Sequence, residues 1–397
     1  MTNSFIHFAR PDYGEEEVAA ATEVIRSGWI TSGPKTVQFE KDFSRYTCSR
    51  YALAVNSCTA GLHLALKALG IGPGDEVVTT PLTFCATVNV ILETGATPVL
   101  ADIGPDLNIS PLAIRRVLTS RTRALLPVHM AGLPCHMPEI WNIAATHGLK
   151  VVEDAAHAAG SVVDGVPVGG RSNATAFSFY ATKNLSTGEG GMVTTNDAEL
   201  ENRMRILCLH GISRDAWNRY SEKGSWFYDV VACGYKYNMS DLTAALGLVQ
   251  LRKLDNMNRR RTEIAKRYNN AFREMPELEL PPDRPGIFHS WHLYILRLNL
   301  DQLQIDRAQF IAEMRQRDIG CSVHFIPIPL HSHYRQTLEL RDRCSRALAE
   351  YPRLLSLPLY SGMTDHEVDR VVVAVQDIVN RFRIRTTVPV DAELVEL

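Results

Sequence analysis

Short apolar runs recur along the first half of the chain: YALAV from Tyr51, EVVTT from Glu76, TPVLA from Thr97, ALLPV from Ala124, KVVED from Lys150, ATAFSF from Ala174 and GMVTT from Gly191. Stretches with helical spacing separate them. In TAGLHLALKALG, Leu62, Leu66 and Leu69 recur three and four residues apart before a Gly-Ile-Gly-Pro stop. Strands alternating with helices predict a mostly parallel sheet covered on both faces, an α/β fold whose ligands gather at the carboxyl ends of the strands. Ahead of the sheet, EEEVAAATEVIR predicts a short helix that stops at Ser27-Gly28, and WITSGPK, with two glycines and a proline nearby, predicts an ordered loop. From Ser240, an N-cap, the pattern SDLTAALGLVQLRKLDNMNRRRTEIAKRYNNAFREM predicts one long helix closed by Pro276. At about 1.5 Å per residue it spans roughly 50 Å, enough to link two domains. Its basic run, Arg259 to Arg261, is expected to be a solvated face. Beyond PPDRPG, the strand WHLYILRL, a helix near Asp306 to Arg317, the run CSVHFIPIP and a last helix from Asp365 to Arg383 read as a smaller α+β domain. The expected division is 1–250 and 251–397, with the tail TTVPVDAELVEL unassigned.

Composition narrows the function. Of 397 residues, 45% are hydrophobic, so a large core is available, and 42 Lys plus Arg against 44 Asp plus Glu give a formal charge of −2. A nucleic-acid or anionic-membrane partner has no electrostatic footprint in such a chain. The eight cysteines form no CxxC pair, which points to reduced thiols in a cytoplasmic protein. MTNSFIHFARPDYGEEE lacks a basic start and an apolar run, so neither export nor membrane insertion is expected.

The common phosphate and dinucleotide signatures are missing, with no GxxxxGK[ST] and no GxGxxG after a strand. His331-Ser-His333 has no cysteine nearby and no HExxH occurs, so no metal is expected. Chemistry concentrates instead in VVEDAAHAAG and AFSFYATKNLSTGEGGMVTTND. Asp154 ends one apolar run and Lys183 follows another, which sets an acid and an amine at neighbouring strand ends. A pyridoxal phosphate enzyme needs such a pair: a lysine for the Schiff base and an acid to face the pyridine nitrogen. Taken alone, the lysine could be a solvated loop residue and the acid a helix cap. Asn56-Ser57-Cys58-Thr59-Ala60-Gly61 joins a strand to a helix, where backbone N–H groups and hydroxyls can meet a phosphate or simply cap the helix. Phe84, after EVVTT, could cover one face of a cofactor ring or belong to the core.

Through SGWITSGPK, NSCTAGLHLAL, GDEVVTTPLTFCAT, VVEDAAHAAG, FSFYATKN, GEGGMVTT, GYKYNMSDLTAALG and SWHLYILR, the chain resembles the DegT/DnrJ/EryC1/StrS family of pyridoxal phosphate-dependent nucleotide-sugar aminotransferases, from about Phe8 to about Arg383. Its nearest resemblance, in GYKYN, VVEDAAHA and WHL, is to UDP-4-amino-4-deoxy-L-arabinose aminotransferases. The resemblance implies the type I (aspartate aminotransferase) fold, with a mainly parallel seven-stranded sheet and a smaller C-terminal domain. It implies pyridoxal 5'-phosphate, passing through the pyridoxamine form, with Lys183 as the catalytic Schiff-base lysine. Asp154 matches the partner of the pyridine nitrogen, His157 the residue beside the ring hydroxyl, Ser178 and Cys58-Thr59 the phosphate positions, and Phe84 the aromatic over the ring. Cys58 stands where Gly or Ala is commoner, which leaves a backbone contact possible. Asn238 resembles an asparagine that reaches the neighbouring subunit's phosphate, so a homodimer with shared sites is implied, completed by the loop of Trp29 and Thr31. Arg214, His324 and His331 are further candidates for contact with the sugar or its diphosphate. The implied reaction moves an amino group from L-glutamate, leaving 2-oxoglutarate, to a nucleotide-linked keto sugar, with C4 of a UDP-4-keto sugar expected ahead of C3 amination or of a non-catalytic binding role.

Overall fold

In the computed structural model, which describes residues 4–213, 228–338 and 342–384, two helices precede the first strand. Glu15, Glu16 and Glu17 occupy the first turn of α1 (Glu15–Ser27), where carboxylates meet the positive end of the helix dipole, and Gly28 ends it at φ 75°. WITSGPK is only partly a loop, because Pro34 starts a second helix, α2 (Pro34–Tyr46). Proline suits that position, since the N–H it lacks would have no partner inside the helix. The N-cap, Gly33, has no side chain to satisfy the remaining donors, and the acceptor comes from far along the chain. The buried Asp241 carboxylate accepts from the N–H groups of Gly33 (2.7 Å), Lys35 (3.0 Å) and Thr36 (2.9 Å) and from the Thr36 hydroxyl (2.7 Å).

Strands and helices then alternate: β1 (Tyr51–Val55), α3 (Cys58–Ala68), β2 (Glu76–Thr79), α4 (Ala86–Glu93), β3 (Thr97–Leu100), α5 (Pro111–Val117), β4 (Thr122–Leu126), α6 (Met137–His147) and β5 (Lys150–Asp154). A small hairpin, β6 (Val162–Val163) and β7 (Val166–Pro167), leads to β8 (Ala174–Ser178), β9 (Gly191–Thr195) and α7 (Ala198–Cys208). The seven longer strands form one sheet in the order β1-β9-β8-β5-β4-β2-β3, and each carries one of the apolar runs of the sequence. Every pairing is parallel except those of β9 with β1 and β8, so β9 alone is reversed. Helices cover both faces, and β2, β8 and β9 are buried at every position, which is why they read as continuous apolar runs and not as alternating ones.

Ser240 caps α8 (Asp241–Phe272) by accepting from the Thr243 N–H at 3.3 Å. Along this one helix the packing changes partners: Leu254 and Met257 join the core of Phe39 and Phe177, whereas Ile264, Tyr268 and Phe272 join that of Tyr294, Phe310 and Val368. Beyond α8 come β10 (Leu278–Glu279), β11 (Ile287–Phe288), β12 (Tyr294–Leu298), α9 (Arg307–Gln316), α10 (Ser332–Thr337), α11 (Ser345–Glu350), β13 (Leu354–Leu357) and α12 (Asp365–Phe382). Of these, β11 pairs with β6, and Tyr334 of α10 and Ala347 of α11 pack in a separate cluster with Leu82 and Val88, whereas the second core draws on β10, β12, α9, β13 and α12. The sheet there is antiparallel, β10-β12-β13, and Ile6 from the start of the chain packs into the same core.

The basic run on α8 is not a solvated face. Arg259 is exposed and Arg260 pairs with Asp365 at 2.8 Å, but Arg261 is 3% exposed and donates to the carbonyls of Leu359 (2.7 Å), Trp291 (3.3 Å) and His292 (3.4 Å). Helical periodicity explains it, since Arg261 lies on the same face as Met257, Ile264 and Tyr268. No described helix is long and apolar enough to cross a membrane.

Because Asp241 supplies the N-terminal cap of α2, Asp241→Ala leaves several buried donors unpaired, and unfolding free energy should fall by about 3 kcal/mol. Chemical denaturation followed by fluorescence checks this, and a loss below about 1 kcal/mol would mean that water can replace the cap.

Candidate active site

The shared direction of six strands brings the ends of β1, β2, β5 and β8 to one edge of the sheet, and the reversal of β9 brings its beginning there too. Past β1, the Ser57 hydroxyl accepts from the Ala60 N–H at 3.1 Å and its carbonyl from the Gly61 N–H at 3.1 Å. The N–H groups of Cys58 and Thr59, also in the first turn of α3, are left uncommitted among the described residues. Gly191 faces them from β9, where a Cβ would fall 2.7 Å from the Cys58 nitrogen and 2.7 Å from the Phe177 carbonyl oxygen. Glycine at that point keeps open a cup of amides and hydroxyls at the positive end of a helix, the environment a phosphate dianion requires.

Asp154 is the last residue of β5. Its carboxylate accepts from the Thr87 hydroxyl at 2.9 Å and the Ala156 N–H at 3.1 Å, and Thr87 is in turn bonded to Thr83 at 2.8 Å. Burial pushes the Asp154 carboxyl up, against the downward pull of these hydrogen bonds and of the Lys183 charge. Such an acid is best satisfied by a cationic N–H. The Cys58 thiol lies 4.0 Å from it, and burial and the Asp154 charge push that thiol well up, so Cys58 is a neutral filler and not a nucleophile.

Lys183 follows β8 in a turn closed by its N–H to the Tyr180 carbonyl at 2.9 Å. Burial lowers its pKa to about 8, although Cys58 and Asp154 act in the opposite direction. Around the amine stand three histidines. The His157 ring lies 4.4 Å from that of His292 and stacks on Phe325 at 5.8 Å, and its Nδ1 is buried with no partner. His324 stacks on Phe8 at 5.3 Å and shares a 2.9 Å hydrogen bond between its Nδ1 and the Ser356 hydroxyl. Burial and the Lys183 charge drive the His157 and His292 rings well down and the His324 ring to about 4, so all three are neutral near pH 7.

These groups share one cavity of about 440 Å³, lined by Cys58, Thr59, Phe84, Asp154, His157, Ser178, Lys183 and His324 together with residues the sequence reading did not single out, among them Phe8, Thr87, Glu189, His292 and Phe325. Phe84 is 60% exposed at the rim, 6.0 Å from Phe325, and so is not a core residue. Four other candidates do not line this chain's cavity. Trp29 is exposed, with its indole N–H on the Ser32 carbonyl at 3.1 Å, and Thr31 beside it is exposed. Asn238 donates to the Ser32 hydroxyl at 2.7 Å, pairs with Val55 at the base of the cup, and keeps a buried Oδ1 without a partner. His331 precedes α10, edge-on to Tyr334. Arg214 lies outside the described residues. Of the residues overlooked, His292 had a signal in SWHLYILR, which pattern reading treats as strand; Phe8 and Phe325 had none, because only the fold brings them to the cavity.

The sequence model of the DegT/DnrJ/EryC1/StrS aminotransferase family matches residues 11–376. The spore coat polysaccharide biosynthesis protein SpsC of Bacillus subtilis is 50% identical over 380 residues, 95% of this chain and 98% of that protein. Among solved structures, Spr1654 from Streptococcus pneumoniae, described as a sugar aminotransferase, superposes in its PMP form with a TM-score of 0.89 at 33% identity, covering 95% of this chain and 99% of the other. Its PLP form gives 0.88. PseC of Helicobacter pylori, an aminotransferase involved in the biosynthesis of pseudoaminic acid, gives 0.88 at 29% identity over 96% of this chain and all of that one.

The buried amine makes a measurable claim. Only neutral amines are methylated by formaldehyde and a mild reductant, so labelling of Lys183 in protein freed of bound small molecules should rise with pH through a midpoint near 8. An unperturbed lysine titrates near 10.4. Peptide mass analysis reads the site, and a Lys183 midpoint of about 10 or above would show that the amine is solvated.

Proposed function

The chain belongs to the DegT/DnrJ/EryC1/StrS aminotransferase family, and on that footing we propose that it aminates C4 of a UDP-linked 4-keto sugar, with L-glutamate as the donor. It is a pyridoxal phosphate-dependent sugar aminotransferase with the type I transferase fold. The observation that carries the catalytic reading is the Lys183 amine and the Asp154 carboxylate facing one buried cavity beneath an open helix N-terminus.

The residues present fit the cofactor: two uncommitted N–H groups and the space left by Gly191 suit its phosphate, and the orphaned Nδ1 of His157 awaits a polar partner. When bound, pyridoxal phosphate supplies an aldehyde that condenses with amines and a protonated pyridine that withdraws electrons. The Cys58 and Thr59 backbone with Ser178 would hold the phosphate, Asp154 would keep a proton on the pyridine nitrogen, and His157 and Phe84 would flank the ring. Lys183 Nζ would take the proton from Cα of glutamate, which leaves as 2-oxoglutarate, and in the return half-reaction would deliver one to C4 of the sugar. A pKa near 8 leaves a useful fraction of neutral amine at pH 7 to 8.

The motifs GYKYN, VVEDAAHA and WHL support the UDP-4-keto choice through their similarity to enzymes of that specificity, and the polysaccharide role of SpsC supports a product destined for a cell-surface polymer. His324, on the cavity wall, is the best placed of the sugar-contact candidates. We further propose a homodimer in which Asn238 and the Trp29 to Pro34 loop reach the partner's cavity. The exposed Trp29 and Ile30 side chains support this. The eight free thiols support a cytoplasmic setting.

A panel of UDP- and dTDP-linked 4-keto and 3-keto sugars, assayed for glutamate-dependent amination, tests the substrate. We expect a UDP-4-keto sugar to be preferred. Acceptance of a 3-keto sugar alone would overturn the assignment while leaving the cofactor site intact. Borohydride reduction and peptide mapping should place the pyridoxyl group on Lys183, and a label elsewhere would remove Lys183 from its role.

The shared site is tested by mixing Lys183→Ala with Asn238→Ala, each expected to be inactive alone. Hybrid dimers should recover up to about a quarter of wild-type activity, since half the subunits are hybrid-borne and one site in each hybrid is intact. No recovery, with subunit exchange demonstrated, would place each site within one chain.

A further inference from the structure

Behind Lys183 runs a chain of hydrogen bonds whose polarity is fixed at both of its anchors. Asn258, 1% exposed on α8, donates its amide Nδ2 to the Ala159 carbonyl at 3.0 Å, and a carbonyl can only accept. Its Oδ1 is therefore the atom that faces Asn184, whose Nδ2 donates to it at 2.7 Å and to the Ser290 carbonyl at 2.7 Å. Both N–H bonds of the Asn184 amide are thereby used. The reverse orientation would set its oxygen against the Ser290 oxygen, so Asn184 Oδ1 must face His292 Nδ1, 3.1 Å away. An amide oxygen cannot donate, hence Nδ1 carries the hydrogen. A neutral imidazole has one N–H, and Nε2, 3.5 Å from Lys183 Nζ, is left with a bare lone pair. Burial and the nearby Lys183 charge keep His292 neutral, in line with this assignment.

We propose that His292 is the positioning residue of Lys183, its Nε2 accepting an N–H from the amine so that the nitrogen's lone pair is turned into the cavity. A neutral amine has two N–H bonds and one lone pair, and committing one N–H to a fixed acceptor restricts where the lone pair can point. Free rotation about the last bond of a lysine would otherwise spread it over directions that meet no substrate, and misalignment of that kind costs about a hundredfold in rate. His292 takes no proton in this role; Lys183 both receives and delivers it. The contact of 3.5 Å is long, as such bonds commonly are before reactants are bound. The chain begins on the helix that joins the two cores and ends on the reactive amine, so α8 helps to set the orientation of a group it does not touch.

The inference rests on the proposed role of Lys183, and its tests separate the two. Neutron diffraction from a perdeuterated crystal of the unaltered holoenzyme should show deuterium on His292 Nδ1 and none on Nε2. Deuterium on Nε2 would overturn the inference whatever any variant does. His292→Phe should retain cofactor and glutamate affinity, slow the glutamate half-reaction about a hundredfold and enlarge its isotope effect with α-deuterated glutamate. His292→Gln, whose amide oxygen can accept, should recover much of the rate. The Lys183 titration is a readout independent of turnover. The groups that face the amine are Cys58, Asp154, His157, His292 and His324, and all but His292 are unchanged in the variant. An acceptor favours the ammonium form, so its loss should lower the labelling midpoint by about one pH unit. An unchanged midpoint and a half-reaction within twofold of wild type would reduce His292 to packing. A pyridoxyl label on another lysine would overturn the proposed function, whereas a label on Lys183 with Nε2 protonated overturns this inference alone.

Discussion

A lysine in water is a cation at neutral pH and has no lone pair with which to take a proton. Burying Lys183 removes the solvent that stabilises its charge, and the amine falls to about 8, where charged and neutral forms coexist. Much of the surrounding structure follows from holding it there. An isolated amine in an apolar cavity would fall further, and the Asp154 carboxylate moderates the effect by favouring the cation. Charged histidines beside it would repel it, and all three are kept neutral by their own burial. Neutral rings can then serve as acceptors and as flat surfaces without competing for the proton.

The direction of the strands is what lets so many groups meet at one point. In a wholly parallel sheet, only residues after each strand reach the carboxyl edge. Reversing β9 adds residues before a strand, and Gly190 and Gly191 enter the cup beside the first turn of α3 from that side. Gly191 also pairs with Val55, the residue that pairs with Asn238 on its other side, so cup, sheet edge and the Asn238 segment are held in register by backbone bonds.

The apolar runs made the main sheet legible, because strands buried on both faces leave a continuous signature that needs no partner to be read. Asp154, Lys183 and the Ser57 to Thr59 turn were legible for a related reason: each directly follows or ends such a run. What escaped detection depended on contacts between distant segments. The helix after Gly33 has no local cap and opens with Gly-Pro-Lys, which resembles a loop until Asp241 arrives from 208 residues farther along the chain. Arg261 resembles its neighbour Arg259, which is exposed, and only a second layer of structure at Trp291 and Leu359 encloses it. His292 was hidden within a strand pattern, since its importance lies in the orientation of an amide, Asn184, that spacing cannot reveal. The two-residue strands β6, β7, β10 and β11 are too short to have any period at all.

Helix α8 bears two side chains with fixed duties, Asp241 in its first turn and Asn258 farther along, the first bonded to Gly33 and the second to Asn184. A helix turns by about 100° and advances about 1.5 Å with each residue. Inserting or deleting a single residue between these positions would swing one of them away from its partners however well the new residue suited a helix. Relatives are therefore free to vary the outward-facing letters of this segment but not its length. In an alignment, 241–258 should be a stretch without gaps, even where the loops on either side expand and contract.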